Sequence, residues 1–203
     1  IRGWHTTLDN QILNGTGASG QILGLNDTAG INSVTYNEAA PTVANLYPKL
    51  ADAYQQIQTS VFMNPTHWIM HPRRLAFLLA SVDSSDRPLV VPALNGPFNA
   101  VATGQGAASY GNSGYSMMGL PIIADANVRT DYDGTEDRIF CVNAAELHLW
   151  EQSGSPFALT FDATGAGSLT VKSVVYGYSA FSAGRYPGAV SVIAGTGLVA
   201  PTF

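Results

Sequence analysis

The chain has 203 residues, of which 46% are hydrophobic and only 11% are charged. This length suits one large domain or two interleaved subdomains, and the many Gly and Pro residues argue against a helical bundle. The net charge of −5 and the scattered Lys and Arg residues exclude tight nucleic-acid binding, the single Cys141 excludes an intrachain disulfide, and no apolar run reaches the length of a membrane span.

The first eighty residues contain apolar positions at helical spacing, interrupted by a glycine-rich stretch and one short apolar run. Asn14 and Gly15 are typical of a helix end, and Pro72 is typical of a first helical position. Pro48 predicts either a helix start or a kink. The predicted elements are a helix over residues 1–13, a loop over 15–33, an amphipathic helix over 43–59, a strand over 68–70 and a helix over 73–81.

The rest of the chain predicts mainly β-structure. Residues 144–150 read as a turn or a short helix, and the remaining elements are a turn over 83–88, a long surface loop over 92–117, strands over 120–124, 139–142, 157–161 and 169–181, a turn over 185–188 and a last strand over 189–193. Because helices and strands mix without βαβ alternation, the pattern favours an α+β fold over a doubly wound sheet.

One literal dinucleotide-binding motif is present, with Gly15, Gly17 and Gly20 in G-x-G-x-x-G spacing. Such a site needs a strand before the loop and a helix after it, so that the helix amino terminus faces the pyrophosphate. Here a helical pattern precedes the loop and no helical pattern follows it. We therefore favour a flexible glycine loop and keep a nucleotide-binding enzyme as the alternative.

Two further groups of polar residues are candidate metal sites. His67 and His71 lie four apart, but flanking prolines and a strand pattern between them favour structural roles. The acidic residues at 125, 131, 133, 136 and 137 lack the spacing of a calcium loop, and we interpret them as a solvated acidic turn. No nucleophile motif or catalytic set is visible, so we expect a protein that is not an enzyme and uses no cofactor or metal.

Several segments, in order, resemble the major capsid proteins of tailed bacteriophages, whose Hong Kong 97-like fold is shared with encapsulins. The similar segments are residues 12–17 and 20–25 after the first helix, the amphipathic helix 43–59, residues 68–79, the turn at 86–89, residues 118–123, the long strand 169–183 and the turn at 184–187. Each similarity is weak alone, but their shared order over almost the whole chain is specific.

The resemblance implies a peripheral (P) subdomain over residues 1–33 and 150–183 and an axial (A) subdomain over 34–149 and 184–203. It implies self-assembly into pentamers, hexamers and an icosahedral shell, with portal and scaffold proteins as further partners, DNA packaged without specific binding, and no membrane. The location would be the virion, after assembly in the host bacterial cytoplasm. The candidate subunit contacts are Gly104, Gly106, Tyr110, Asn112, Tyr115, Arg185 and Tyr186.

The family's amino-terminal arm and extended loop have no counterpart in this sequence, so we expect them to lie upstream of Ile1. A chain without them is expected to be monomeric or to form small oligomers. Two alternatives stay open beside the phage capsid and the nucleotide-binding enzyme. One is an encapsulin-like shell, and the other is a β-rich adhesion or tail module, which composition alone also allows.

Overall fold

A computed structural model of the chain describes residues 2–81, 112–152, 158–165, 167 and 170–202. The predicted turn at 83–88 and most of the predicted loop at 92–117 lie outside the described residues. Within the described part, the chain forms a mixed α+β fold, which confirms the predicted fold class.

The helices lie where their apolar spacing predicts them: α1 spans Arg2–Asn14, α2 spans Val43–Val61 and α3 spans Pro72–Ala80. The Thr42 side chain accepts a hydrogen bond from the backbone N–H of Asn45 and so caps α2. A start at Pro48 is therefore wrong, and this proline lies inside the helix. In α3, Pro72 occupies the first turn as predicted.

The described strands form one six-stranded sheet and two separate two-stranded ribbons. Their bounds are β1 Asn32–Thr35, β2 His67–Met70, β3 Asn112–Met117, β4 Leu120–Ala124, β5 Ile139–Val142, β6 His148–Glu151, β7 Ala158–Gly165, β8 Thr170–Tyr176, β9 Ser179–Ser182 and β10 Val190–Ala194. The central sheet has the order β1-β10-β5-β2-β4-β3, with β1–β10 and β2–β4 parallel. The ribbons are β6–β9 and β7–β8, both antiparallel.

The middle of the central sheet is buried on both faces. On one face, Ile139 and Cys141 of β5 pack in the same cluster as Leu50 and Ile57 of α2. On the other face, Phe140 packs in a cluster that also contains Leu13 of α1. A strand buried on both faces needs apolar residues at every position, which explains why these strands read as continuous apolar runs.

Two strands correct the sequence predictions. Residues 112–117 were expected in a loop but form the edge strand β3, because a tight turn at Met118 and Gly119, both with positive φ, folds them back onto β4. Trp68 is fully buried, and its indole N–H donates to the Met117 carbonyl at 3.0 Å, which fastens β3 to β2. Strand β1 was not predicted; it begins inside the predicted loop over 15–33 and ends two residues after it.

The long strand predicted over residues 169–181 is also wrong, because it is two strands with different partners. Strand β8 pairs with β7, whereas β9 pairs with β6. The segment predicted as a turn or short helix consists of a 3-10 helix, Ala144–Glu146, followed by β6. None of the described helices has both the length and the apolar character needed to cross a membrane.

Candidate assembly surface

A buried ion-pair cluster joins α3 to the segment before β5. The Asp137 carboxylate accepts hydrogen bonds from Arg73 Nε at 2.6 Å and from Arg74 Nε at 3.1 Å. Arg74 is 1% exposed and Asp137 is 0% exposed, so the predicted solvated turn is wrong at this position. Since two guanidinium groups compensate the charge, this carboxylate can be buried. Arg74 Nη2 also donates to the Val199 carbonyl at 2.8 Å, which ties down the chain after β10.

The two histidines that are candidate metal ligands have structural contacts. His71 caps α3, since its Nδ1 accepts a hydrogen bond from the backbone N–H of Arg73 at 3.0 Å. Burial, with the nearby Arg73 charge as a second cause, lowers the pKa of His71 below its ordinary value. His67 lies in β2, where its Nδ1 is 2.9 Å from the Thr66 hydroxyl. Among the described residues, no group of three or more His, Cys, Asp or Glu side chains is arranged to hold a metal ion.

The loop with dinucleotide-motif spacing folds against the end of α1. Helix α1 precedes it and no helix follows before β1, so the loop lacks the setting that a dinucleotide site requires. The backbone N–H of Gly24 donates to the Gly15 carbonyl at 2.8 Å. A Cβ on Gly24 would lie 2.6 Å from the Gly15 nitrogen. These glycines allow two backbone segments to touch, so this part of the loop is a closely packed turn.

A polar contact fixes α1 to the loop after β4. Asn127 Nδ2 donates to Asp9 Oδ2 at 2.6 Å, and Asn14 Nδ2 donates to the Asn127 carbonyl at 2.7 Å. Burial, and then the hydrogen bond with the Asp125 carboxyl, raise the pKa of Asp9 to about 6. Two carboxyl groups in contact favour holding a proton, so we expect the contact between α1 and this loop to depend on pH.

Four of the candidate contact residues from the sequence are described, and they lie in two separate places. Asn112 begins the edge strand β3, and Tyr115 of the same strand is half-buried against the central core. Arg185 and Tyr186 precede β10, and three strands separate β10 from β3. Both side chains are exposed, and the Arg185 guanidinium lies 5.2 Å from the centroid of the Tyr186 ring. The glycines at 104 and 106 and the tyrosine at 110 lie outside the described residues.

The exposed large apolar side chains of the described residues concentrate elsewhere, on an arm formed by the two ribbons. Strands β6 and β9 form its base, and β7 and β8, here called the distal ribbon, continue it. Most of the exposed large apolar side chains of the described residues lie on this arm: Leu149, Trp150, Leu159, Phe161, Val174, Val175, Tyr176 and Tyr178.

Sequence reasoning placed a strand here but did not identify the arm as a surface. The available signal was the apolar run at residues 174–176, because an antiparallel strand with one wet face alternates instead. Such a run predicts cover on both faces. Within the described part of the chain, β7 and β8 pack extensively only on each other.

A sequence profile of the phage capsid family matches residues 2–157. The search of curated proteins found no match.

Solved structures share the fold at low sequence identity. The SrpI encapsulin complex of Synechococcus elongatus superposes with a TM-score of 0.64 at 15% identity, covering 100% of this chain and 64% of its own. The capsid of Myoviridae phage XM1 superposes with a TM-score of 0.60 at 15% identity, covering 96% of this chain and 62% of its own. The structure from Gordonia phage Cozz superposes with a TM-score of 0.57 at 18% identity, covering 95% of this chain and 60% of its own. This sequence therefore spans less than two thirds of the length of these relatives.

The profile match extends over most of the chain and includes the three described helices and the central-sheet strands from β1 to β5. The solved relatives show the same arrangement of elements in phage capsids and in an encapsulin. On this ground the chain belongs to the phage capsid family.

Proposed function

We propose that this chain is the shell-forming part of a major capsid subunit of a tailed phage or prophage. The family match over residues 2–157 carries the proposal, and the fold shared with phage capsids supports it. The function is then assembly: a head-to-tail interface repeated by rotation closes into pentamers and hexamers. Low charge suits such an interface, because an unpaired charge buried at each contact would be repeated in every copy.

The division into subdomains is part of the proposal. The P subdomain would comprise residues 1–33 and 150–183, and the A subdomain residues 34–149 and 184–203. Two observations support this division. Helices α2 and α3 pack on the central sheet, and the distal ribbon has no extensive packing on that sheet within the described residues.

The partners follow from the same role. Other copies of the chain come first, and portal and scaffold proteins are expected at the sites where a shell starts and closes. The shell would enclose DNA without binding it tightly, since a chain with net charge −5 neutralises few phosphates. The protein would reside in the virion, after assembly in the host cytoplasm.

A second candidate is an encapsulin-like shell that encloses protein. The observation in its favour is the superposition of the whole chain on the SrpI encapsulin. Phage capsids superpose comparably well, and the family profile names capsids, so the phage role is the better supported of the two.

The test is electron microscopy of particles purified after expression of the complete reading frame that contains this chain. Closed shells or rings of a single polypeptide are expected. A product that stays strictly monomeric at high concentration, by light scattering, would refute the assembly role. The nucleic acid and protein inside native particles then separate the two candidates: DNA supports the phage capsid, and a co-purifying cargo enzyme supports the encapsulin.

A further inference from the structure

A small hairpin between β4 and β5 carries the only Asp-Gly pair in the sequence, Asp133–Gly134. The backbones of Tyr132 and Glu136 exchange two hydrogen bonds of 3.0 Å, which close a loop of the residues between them. Asp133 has a φ of 45° and Gly134 has a φ of 110°. A residue other than glycine is strained in this region, so the turn holds Asp133 in a costly conformation that a longer loop would relieve.

An Asp-Gly pair can rearrange without a catalyst or a cofactor. The Gly134 nitrogen attacks the carboxyl carbon of protonated Asp133 and forms a five-membered cyclic imide, and the carboxyl OH leaves with the amide hydrogen as water. A water molecule then opens the ring. Breaking the new bond restores aspartate, whereas breaking the original bond to the main-chain carbonyl leaves isoaspartate, in which the chain runs through the former side chain.

The geometry of the turn favours this attack. The Asp133 side chain is 73% exposed, and its ion-pair partner Arg138 is 3.6 Å away, so the carboxyl group is free to rotate towards the backbone. The Gly134 N–H has only a long contact of 3.4 Å to the Asp131 carbonyl, so no strong hydrogen bond holds the nitrogen. Gly134 also adds no side chain that would obstruct its nitrogen.

The Asn14–Gly15 pair is open to the same chemistry in its sequence, but the structure blocks it. Asn14 Nδ2 donates to Asn10 Oδ1 and to the Asn127 carbonyl, both at 2.7 Å, which fixes the side-chain amide. The Gly15 N–H donates to the Gln11 carbonyl at 2.8 Å. Attack would require these bonds to break first, so the reaction at this pair must wait for local unfolding.

We infer that Asp133–Gly134 is a site of spontaneous isoaspartate formation, and that the rearrangement opens the hairpin. The inference goes beyond the shell-forming role, because it concerns the folded chain whether or not it assembles. One extra main-chain carbon enters the loop, so the two bonds between Tyr132 and Glu136 lose their register. Tyr132 is buried and its hydroxyl donates to the Asn14 side chain, so the change also weakens the contact of this hairpin with α1.

Peptide mapping of the full-length protein tests the inference after long incubation in mildly acidic buffer, where more of each carboxyl group is protonated. Isoaspartate should form at Asp133 about tenfold faster or more than at Asp52 or Asp131, which precede larger residues. A species lacking one water, the imide, should precede it. Electron-transfer fragmentation of each peptide separates Asp133 from Asn95, which precedes a glycine outside the described residues.

Two variants of the same position sharpen the test. Asp133→Glu keeps the charge but would need a six-membered ring, so it should stay unmodified. Asp133→Asn forms the same imide by loss of ammonia, and it should accumulate isoaspartate at neutral pH. The isomerised fraction of the wild-type protein should melt about 2–4 °C lower than fresh protein, because the two hairpin bonds are lost. Incubated Asp133→Glu should melt as it did before incubation.

Three results would overturn the inference. The first is an Asp133 that stays unmodified in the wild type while Asp133→Asn also stays intact. The second is isoaspartate that forms equally at the other Asp residues, or at Asn14 as fast as at Asp133, because the turn would then have no special reactivity. The third is an isomerised fraction that melts like fresh protein, which would show that the hairpin survives the rearrangement.

Discussion

Replacing Asp9 by Asn tests whether the carboxyl pair of Asp9 in α1 and Asp125 after β4 lowers the stability of the folded chain at neutral pH. Burial, and then the hydrogen bond with Asp125, raise the pKa of Asp9 from 3.8 to about 6. The folded chain therefore holds this proton more tightly than the unfolded chain. The free energy of unfolding therefore falls as the pH rises from 3.8, the pKa in the unfolded chain, to about 6, the pKa in the folded chain. Above that range it no longer changes with the ionisation of Asp9.

The magnitude follows from the size of the shift. Two pKa units correspond to about 3 kcal/mol for a fully buried group. Asp9 is only half-buried, so solvent screening reduces the expected effect to about 1 kcal/mol. An Asn side chain donates a hydrogen bond as the protonated acid does, and it carries no charge. Asp9→Asn should therefore raise the melting temperature at neutral pH by about 2–4 °C.

Thermal unfolding of both proteins near pH 4 and near pH 7.5 measures this effect. The variant should be more stable at the higher pH and equal to wild type at the lower one. Asp52→Asn, at an exposed position on α2, controls for the loss of one negative charge from an acidic chain. A gain of the same size at both pH values, or no gain at neutral pH, would refute the reasoning.

Three further predictions concern the core. Asp137→Asn leaves the buried Arg74 and the partly buried Arg73 without their counter-charge and should lower the free energy of unfolding by about 3 kcal/mol in urea titrations. A loss below about 1 kcal/mol would contradict the cluster's role. Gly24→Ala places a Cβ 2.6 Å from a backbone nitrogen and should lower the free energy of unfolding by about 1–3 kcal/mol. In the control Gly3→Ala, the new Cβ meets no atom within 4 Å, so the free energy of unfolding should not fall. Burial raises the pKa of Cys141 to about 12, so a thiol reagent at neutral pH should label it only at the rate of unfolding, and rapid labelling of the folded chain would disprove this.

The elements that the sequence predicted are those whose signal is local. The four-residue strand at 139–142 was found to the residue, because burial on both faces requires an unbroken apolar run. The helix over 43–59 was found because its apolar positions repeat at three and four. Strand β3 was missed because Asn, Ser and Gly dominate it, and its pairing with β4 decides its conformation.

The polar cluster and the exposed arm depend on distant neighbours. Asp137 has the same local sequence signal as the exposed Asp133, and only the arrival of Arg73 and Arg74 makes it a buried group. The apolar residues of β7 and β8 indicate strands that need cover, but a strand pattern carries no information on which surface provides it. For the same reason the subunit contacts proposed on β3 and before β10 stay predictions.

The position of β10 also constrains when the subunit can fold. This strand lies between β1 and β5, so residues 32–35 pair with residues 191–194. Contacts between such distant parts of a chain form slowly, and a chain emerging from the ribosome cannot make them before both parts are outside. The central sheet is thus completed only after residue 194 has been synthesised. With the assembly role proposed above, copies would meet as finished subunits, and growing chains would not assemble with one another.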